Sequence, residues 1–398
     1  MSRSTDAGLG PGDPGYRAAS LALFITALVT FALLYSTQPL LPLLAADFRI
    51  GPTTASLSVS LATAGLTLGL PLWSMLSDRY GRRPVILTAL WASAALAPLI
   101  AVAPNFSLLA AFRFLQGLML AGVPATAMTY LGEEVRPAAL GAAMGLYIAG
   151  NSIGGMSGRL AVGFAAQALS WRWALALLGL LVVLLSAAAQ HLLPPSRQAA
   201  RRSPVGFAAL GDLLALAGRK EVLPLVLIGG LLMASFVGVY NYLGFLLVGP
   251  TYHLGLGAAS LVYLFYLLGS LSSFLLGGLA DRLGRSPVLL WSVALTLLAA
   301  LASLARPLPL RLGAVALFTF GFFGSHAAAS TLVSQRAAAR RGHASTLYLL
   351  SYYLGSSLGG TLLGILWEGS GWNGVVFGAA GVLLTALILS AYSRRFGD

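Results

Sequence analysis

Twelve stretches of about twenty predominantly apolar residues, separated by short polar connections, leave this chain few ways to fold. A backbone that crosses hydrocarbon finds no water for its N–H and C=O groups, so each stretch must close its hydrogen bonds internally as a helix. The pattern places helices near 18–44, 55–76, 85–103, 108–131, 139–165 and 173–193, then 223–247, 258–279, 287–304, 312–333, 344–366 and 374–392. Only 9% of the 398 residues are charged, against roughly one-quarter in soluble domains. The fold class expected is an all-α membrane protein.

Two polar connections are near copies. Ser74-Met75-Leu76-Ser77-Asp78-Arg79-Tyr80-Gly81-Arg82-Arg83-Pro84 joins the second and third helices, and Gly277-Gly278-Leu279-Ala280-Asp281-Arg282-Leu283-Gly284-Arg285-Ser286-Pro287 joins the eighth and ninth. Upstream, Ala55-Ser56-Leu57 matches Ala259-Ser260-Leu261. The chain therefore reads as an internal duplication: a six-helix bundle over 1–193, a linker over 194–222 and a second bundle over 223–398. Parallel repeats of this kind place a site between two bundles near mid-membrane.

The formal net charge of +13 follows the membrane rather than an acidic partner. With both termini cytoplasmic, eighteen arginines and lysines fall on that side and four on the other, which is the positive-inside asymmetry. Nucleic-acid binding is not expected. The linker carries Pro194-Pro195 and Arg201-Arg202-Ser203-Pro204, and reads as a tether and topology signal. The absence of cysteine removes disulfides, thiol nucleophiles and thiolate metal sites. The first apolar stretch outruns a signal-peptide core and holds Gln38, Pro39 and Pro42, so it reads as a retained span.

At the repeated loop the sequence resembles the major facilitator superfamily, whose second-to-third helix connection reads Gly-x-x-x-Asp-Arg-x-Gly-Arg-Arg. The second copy keeps the leading Gly277; the first has Ser74, also small. Arg113-Phe114-Leu115-Gln116-Gly117 is similar to the family's Arg-x-x-Gln-Gly signature, and Glu133-Glu134 before Arg136 and Gly141 resembles its next cytoplasmic loop. Gly150-Asn151-Ser152-Ile153-Gly154-Gly155-Met156-Ser157-Gly158-Arg159 resembles the glycine-rich antiporter signature, with Arg159 where proline is usual. Tyr35-Ser36-Thr37-Gln38-Pro39, Tyr240-Asn241-Tyr242, His326 and Ser351-Tyr352-Tyr353 extend the likeness to the YnfM-type branch of bacterial inner-membrane exporters.

The resemblance implies a cytoplasmic gate made of Asp78, Arg79, Gly81, Arg82 and Arg83 with Gly277, Asp281, Arg282, Gly284 and Arg285. The plainer reading is that the aspartates balance neighbouring arginines. Charge deep in a span costs about 3 kcal/mol on insertion scales, so Arg113, Arg159 and His326 each need a partner or a wet cavity. Asp47 is the acid the sequence offers to the two arginines, making Asp47, Arg113, Arg159 and His326 a candidate proton-coupling network or, alternatively, fixed structural pairs. Imidazole titrates near neutral pH, which suits His326 to carry a proton; a structural hydrogen bond is the rival. Tyr35, Gln38, Asn151, Tyr240, Asn241, Tyr348 and Tyr352 are candidate lining of a substrate cavity, with helix packing as the alternative for each.

The function expected is secondary active transport: proton-coupled export of small organic molecules by alternating access. No cofactor or metal is expected; the proton gradient supplies energy, and the partners are lipid bilayer, protons and a small-molecule substrate, with the chain monomeric in a bacterial inner membrane. An anion carrier is the alternative within transport. A membrane sensor or membrane-embedded enzyme is the alternative outside it.

Overall fold

In the computed structural model, residues 8–196, 211, 215–337 and 340–397 are described. The basic linker stretch Arg201-Arg202-Ser203-Pro204 lies outside them. Helices account for almost all of the described chain, in the order α1 (Pro14–Leu34), α2 (Leu41–Phe48), α3 (Pro52–Tyr80), α4 (Arg82–Ala101), α5 (Phe106–Leu120), α6 (Gly122–Glu134), α7 (Pro137–Ala168) and α8 (Trp171–Leu192). After the linker come α9 (Leu223–Val248), α10 (Leu256–Ser260), α11 (Phe265–Leu283), α12 (Arg285–Ala302), α13 (Leu308–Arg336) and α14 (Arg341–Ser393).

Among the described residues, ten helical runs are long and apolar enough to cross a bilayer, counting α5–α6 and α10–α11 as one run each. Two further crossings complete the expected twelve. The 32-residue α7 is long enough, although its glycines, Asn151 and Arg159 dilute its apolarity. The 53 residues of α14 make two crossings, because Gly371 breaks the helix with a φ of 57°. Large apolar side chains stand exposed along these helices, among them Leu184, Phe274, Phe377 and Ile388, as lipid-facing surface requires.

The first span differs from a single helix over 18–44. It ends at Leu34, turns through 35–40 and resumes as α2. Pro39 has no N–H to give the Tyr35 carbonyl, and Pro42 starts the new helix in its first turn, where proline is tolerated. Several buried hydroxyls are satisfied within their own helices, as where Thr30 Oγ1 donates to the Thr26 carbonyl at 2.7 Å and Ser93 Oγ to Ala89 at 2.7 Å.

The chain forms two compact units. The first joins the described residues up to Thr37 with those from Ala64 to the linker; the second joins Gln38–Thr63 with the described residues beyond it. Within the second unit, hydrogen bonds tie Gln38–Thr63 to α9 and α14. Close helix pairs occur in both units. In the first, Gly154 and Gly158 of α7 lie against Leu28 and Ala32 of α1, where an added Cβ would meet backbone atoms at 2.2 and 2.6 Å. In the second, Gly355 and Gly359 of α14 lie against Gly230 and Ala234 of α9, with corresponding approaches of 2.0 and 2.3 Å.

Candidate functional site

Both copies of the repeated loop adopt one backbone. Gly81 (φ 93°, ψ 160°) ends α3 and starts α4, and Gly284 (φ 91°, ψ 151°) does the same between α11 and α12. This region of conformational space is open almost only to glycine. Each aspartate then meets the arginine one helical turn on: Asp78 with Arg82 at 2.5 Å and Asp281 with Arg285 at 2.8 Å. Arg82 also reaches Glu133 at the end of α6, at 2.9 Å. Arg83 donates to the carbonyls of Leu193 (2.8 Å) and Gln190 (3.2 Å), satisfying the end of α8. Arg79 lies over the Tyr80 ring, and Arg282 is exposed. An added Cβ on Gly277 would meet nothing within 4 Å, which agrees with the serine at the matching position.

Arg113 is fully buried. Its guanidinium donates to the Leu33 carbonyl at 2.8 Å, to the Leu34 carbonyl and to Gln116 Oε1. Those two carbonyls close α1, where the break after Leu34 concentrates negative helix-dipole charge. Gln116 in turn donates through Nε2 to the Ser93 carbonyl of α4 at 3.2 Å. The Arg-x-x-Gln spacing thus puts both side chains on one face of α5, where they clip the broken end of α1 to α4. Arg159 donates to the Gly155 carbonyl, and its guanidinium carbon lies 4.3 Å from the centre of the Tyr35 ring. Asp47 is exposed at the end of α2 and belongs to the other compact unit.

In the second unit Gln38 Nε2 donates to Asn241 Oδ1 at 2.8 Å, and the two residues stand 203 positions apart, matching the offset between Asp78 and Asp281. The two amides are therefore repeat equivalents. Ser357 Oγ donates to the Ser60 carbonyl at 2.9 Å and Tyr242 Oη to that of Gly360 at 2.7 Å, so the seam is sealed by polar contacts. Asn241 Nδ2 is buried within it without a hydrogen-bond partner.

Behind this seam lies a wall of rings. Phe236 stacks on Phe322 at 3.9 Å and packs against Tyr240 and Tyr266 at 4.8 and 5.6 Å. Tyr240 Oη pairs with Thr319 Oγ1 at 2.7 Å. His326 closes the wall: its Nδ1 lies 2.9 Å from Tyr348 Oη, and its ring centre 4.7 Å from that of Tyr352. Of the seven candidate lining residues, Tyr35, Gln38, Tyr240, Asn241 and Tyr348 are buried. Tyr352 and Asn151 remain partly accessible, as does His326.

Three residues went unremarked in the sequence. Arg336, at the end of α13, donates to the carbonyls of Gly397 (2.6 Å), Ser393 (3.0 Å) and Glu221 (3.1 Å). Its signal was available, since the repeat offset aligns it with Glu133. Arg311, buried near the start of α13, donates to the Ser303 carbonyl at 2.8 Å and to Tyr252 Oη at 2.7 Å. Leu9 pairs with the loop after α6, its N–H donating to the Glu134 carbonyl at 2.8 Å, and no periodicity marks that bridge.

The relatives of this duplicated helical chain are membrane transporters rather than enzymes. The family model for the Major Facilitator Superfamily matches residues 23–359 and 252–396, and the chain belongs to that superfamily. It is 41% identical over 385 residues to the inner membrane transport protein YnfM of Escherichia coli (strain K12), covering 96% of this chain and 92% of that one. It is 38% identical over 388 residues to the MFS-type transporter YybF of Bacillus subtilis (strain 168), covering 96% and 95%. Among solved structures, the nucleoside transporter NupG superposes with a TM-score of 0.77 at 16% identity over 96% of this chain and 99% of that one, a likeness of fold. A bacterial homologue of the human lysosomal transporter Spinster gives 0.78 at 14% identity over 96% and 97%.

Proposed function

We propose that this transporter exports small organic molecules in exchange for protons by alternating access, in a bacterial inner membrane with both termini cytoplasmic. The observation that carries the substrate reading is the aromatic wall closed by His326 and Tyr352. Aromatic surface with few fixed charges suits an uncharged or amphipathic organic molecule. The arginines bear on the anion-carrier alternative. Arg113 and Arg159 spend guanidinium donors on carbonyls and on a tyrosine ring, and both are buried, which disfavours their service as an anion site.

Proton exchange is supported by the likeness of the α7 glycine run to the antiporter signature, and by the close packing of that run on α1. The repeated loops are read as gating elements at the cytoplasmic face. Purified protein in liposomes, with an imposed pH gradient and a mixed library of neutral, anionic and cationic organic compounds, tests the proposal. Gradient-dependent movement of neutral aromatic compounds is expected. Movement of anions alone, or none that responds to the gradient, would reject it.

A further inference from the structure

The hydrogen bond between His326 and Tyr348 fixes more than a side-chain position. Tyr348 is buried and held: its ring packs where a Cβ on Gly229 of α9 would come within 2.6 Å, and its hydroxyl meets His326 Nδ1 at 2.9 Å. A phenol is a strong donor and a weak acceptor, whereas a neutral imidazole nitrogen is a strong acceptor. A buried hydroxyl proton left without an acceptor costs about 1–3 kcal/mol. The favoured arrangement therefore has Tyr348 donating to Nδ1, which places the ring hydrogen of His326 on Nε2.

The ring itself is bracketed. Phe322 lies nearly parallel to it at 6.3 Å and 7°, and Tyr352 approaches at 4.7 Å. None of the contacts that hold His326 involves a carboxylate or a guanidinium. Among the described residues of the second unit, the acids Asp47, Glu221, Asp281 and Glu368 all stand at or near helix ends. A charged ligand would find neither a carboxylate nor a guanidinium among the groups that hold His326, and an unpaired charge in a span costs about 3 kcal/mol.

From this geometry we infer that His326 and Tyr352 form a substrate subsite for planar, uncharged aromatic molecules bearing a carbonyl, with Tyr352 supplying a stacking face and His326 Nε2–H donating to the carbonyl oxygen. Tyr348 is a positioning residue, acting by holding the imidazole tautomer. The inference rests on the transport reading for its physiological meaning, but the recognition itself is a binding property.

Binding to protein in nanodiscs, with empty nanodiscs subtracted, tests it using 9-fluorenone, fluorene and acridine orange. The first two have nearly the same shape and differ in the carbonyl; the third is a planar cation. Wild-type protein is expected to prefer fluorenone over fluorene by about threefold to tenfold, the range of one net hydrogen bond. His326→Leu removes that preference and His326→Gln, which keeps an N–H donor, retains it. Tyr348→Phe reduces the preference without changing fluorene affinity. Tyr352→Ala weakens both ligands alike, by about tenfold at most. Equal binding of fluorenone and fluorene by the wild type, or tightest binding of acridine orange, overturns the inference. Carbonyl-selective binding without gradient-driven flux of fluorenone or any library compound would sink the export proposal instead and leave the subsite standing.

Discussion

The two copies of the repeated loop share a backbone and differ in how they spend their charge. In the first, Asp78, Arg82 and Glu133 form a joined cluster whose side chains are 20%, 17% and 30% exposed, and Arg83 satisfies the end of α8. In the second, Asp281 is 66% exposed and pairs with Arg285. Ser286 stands where Arg83 did, and Arg336, in the position matching Glu133, satisfies the C-terminal carbonyls after α14. Both copies keep the glycine turn, but the capping arginine stands in the loop of the first and at the end of α13 in the second. The neighbourhood changed too: Trp73 fills the groove between α3 and the α5–α6 run, donating to Leu118 at 2.7 Å, whereas Leu276 at the matching site borders a cavity of 210 Å³ between α11 and α13.

If the capping task differs between the copies as described, the largest effect belongs to Arg336. Its replacement by alanine leaves three carbonyls without their charged donor and is expected to cost about 2–3 kcal/mol, seen as a fall in thermal unfolding temperature in detergent. Arg83→Ala, with two carbonyls at a more exposed site, is expected to cost about 1 kcal/mol. Equal losses would break the comparison.

Gly81→Ala and Gly284→Ala should each cost about 1–2 kcal/mol in the same assay, since both impose a side chain on a backbone with φ near +90°. Here the copies are expected to agree. A large difference would show that the shared backbone is not shared strain.

The charge clusters give the smallest effects. Asp281→Asn breaks an exposed pair one turn apart and should change stability by less than about 0.5 kcal/mol. Asp78→Asn, within the less exposed cluster, should cost about 1 kcal/mol. If Asp281→Asn proves the more damaging, the exposed copy has a role that its ion pair does not reveal.

Much of this was legible before any coordinate. The membrane class and the twelve spans follow from apolar run length, because hydrocarbon forces the backbone into helices wherever it crosses. The duplication is visible in the loops themselves. The Arg-x-x-Gln signature could be recognised, but its partners could not: carbonyls at a helix break carry no sequence signal of their own. The seven lining candidates illustrate the same limit, since a tyrosine written in a span carries no mark of its burial, and five of the seven residues are buried.

The sequence by itself determined that the chain is a duplicated helical membrane protein with glycine-turned loops, because those properties depend on local composition and on backbone chemistry. Tertiary structure decided which charges are spent internally, that Gln38 meets its own repeat equivalent Asn241, and that His326 is held by Tyr348 beside Tyr352. Each of these depends on which faces of distant helices come within a few ångströms, and only packing sets that.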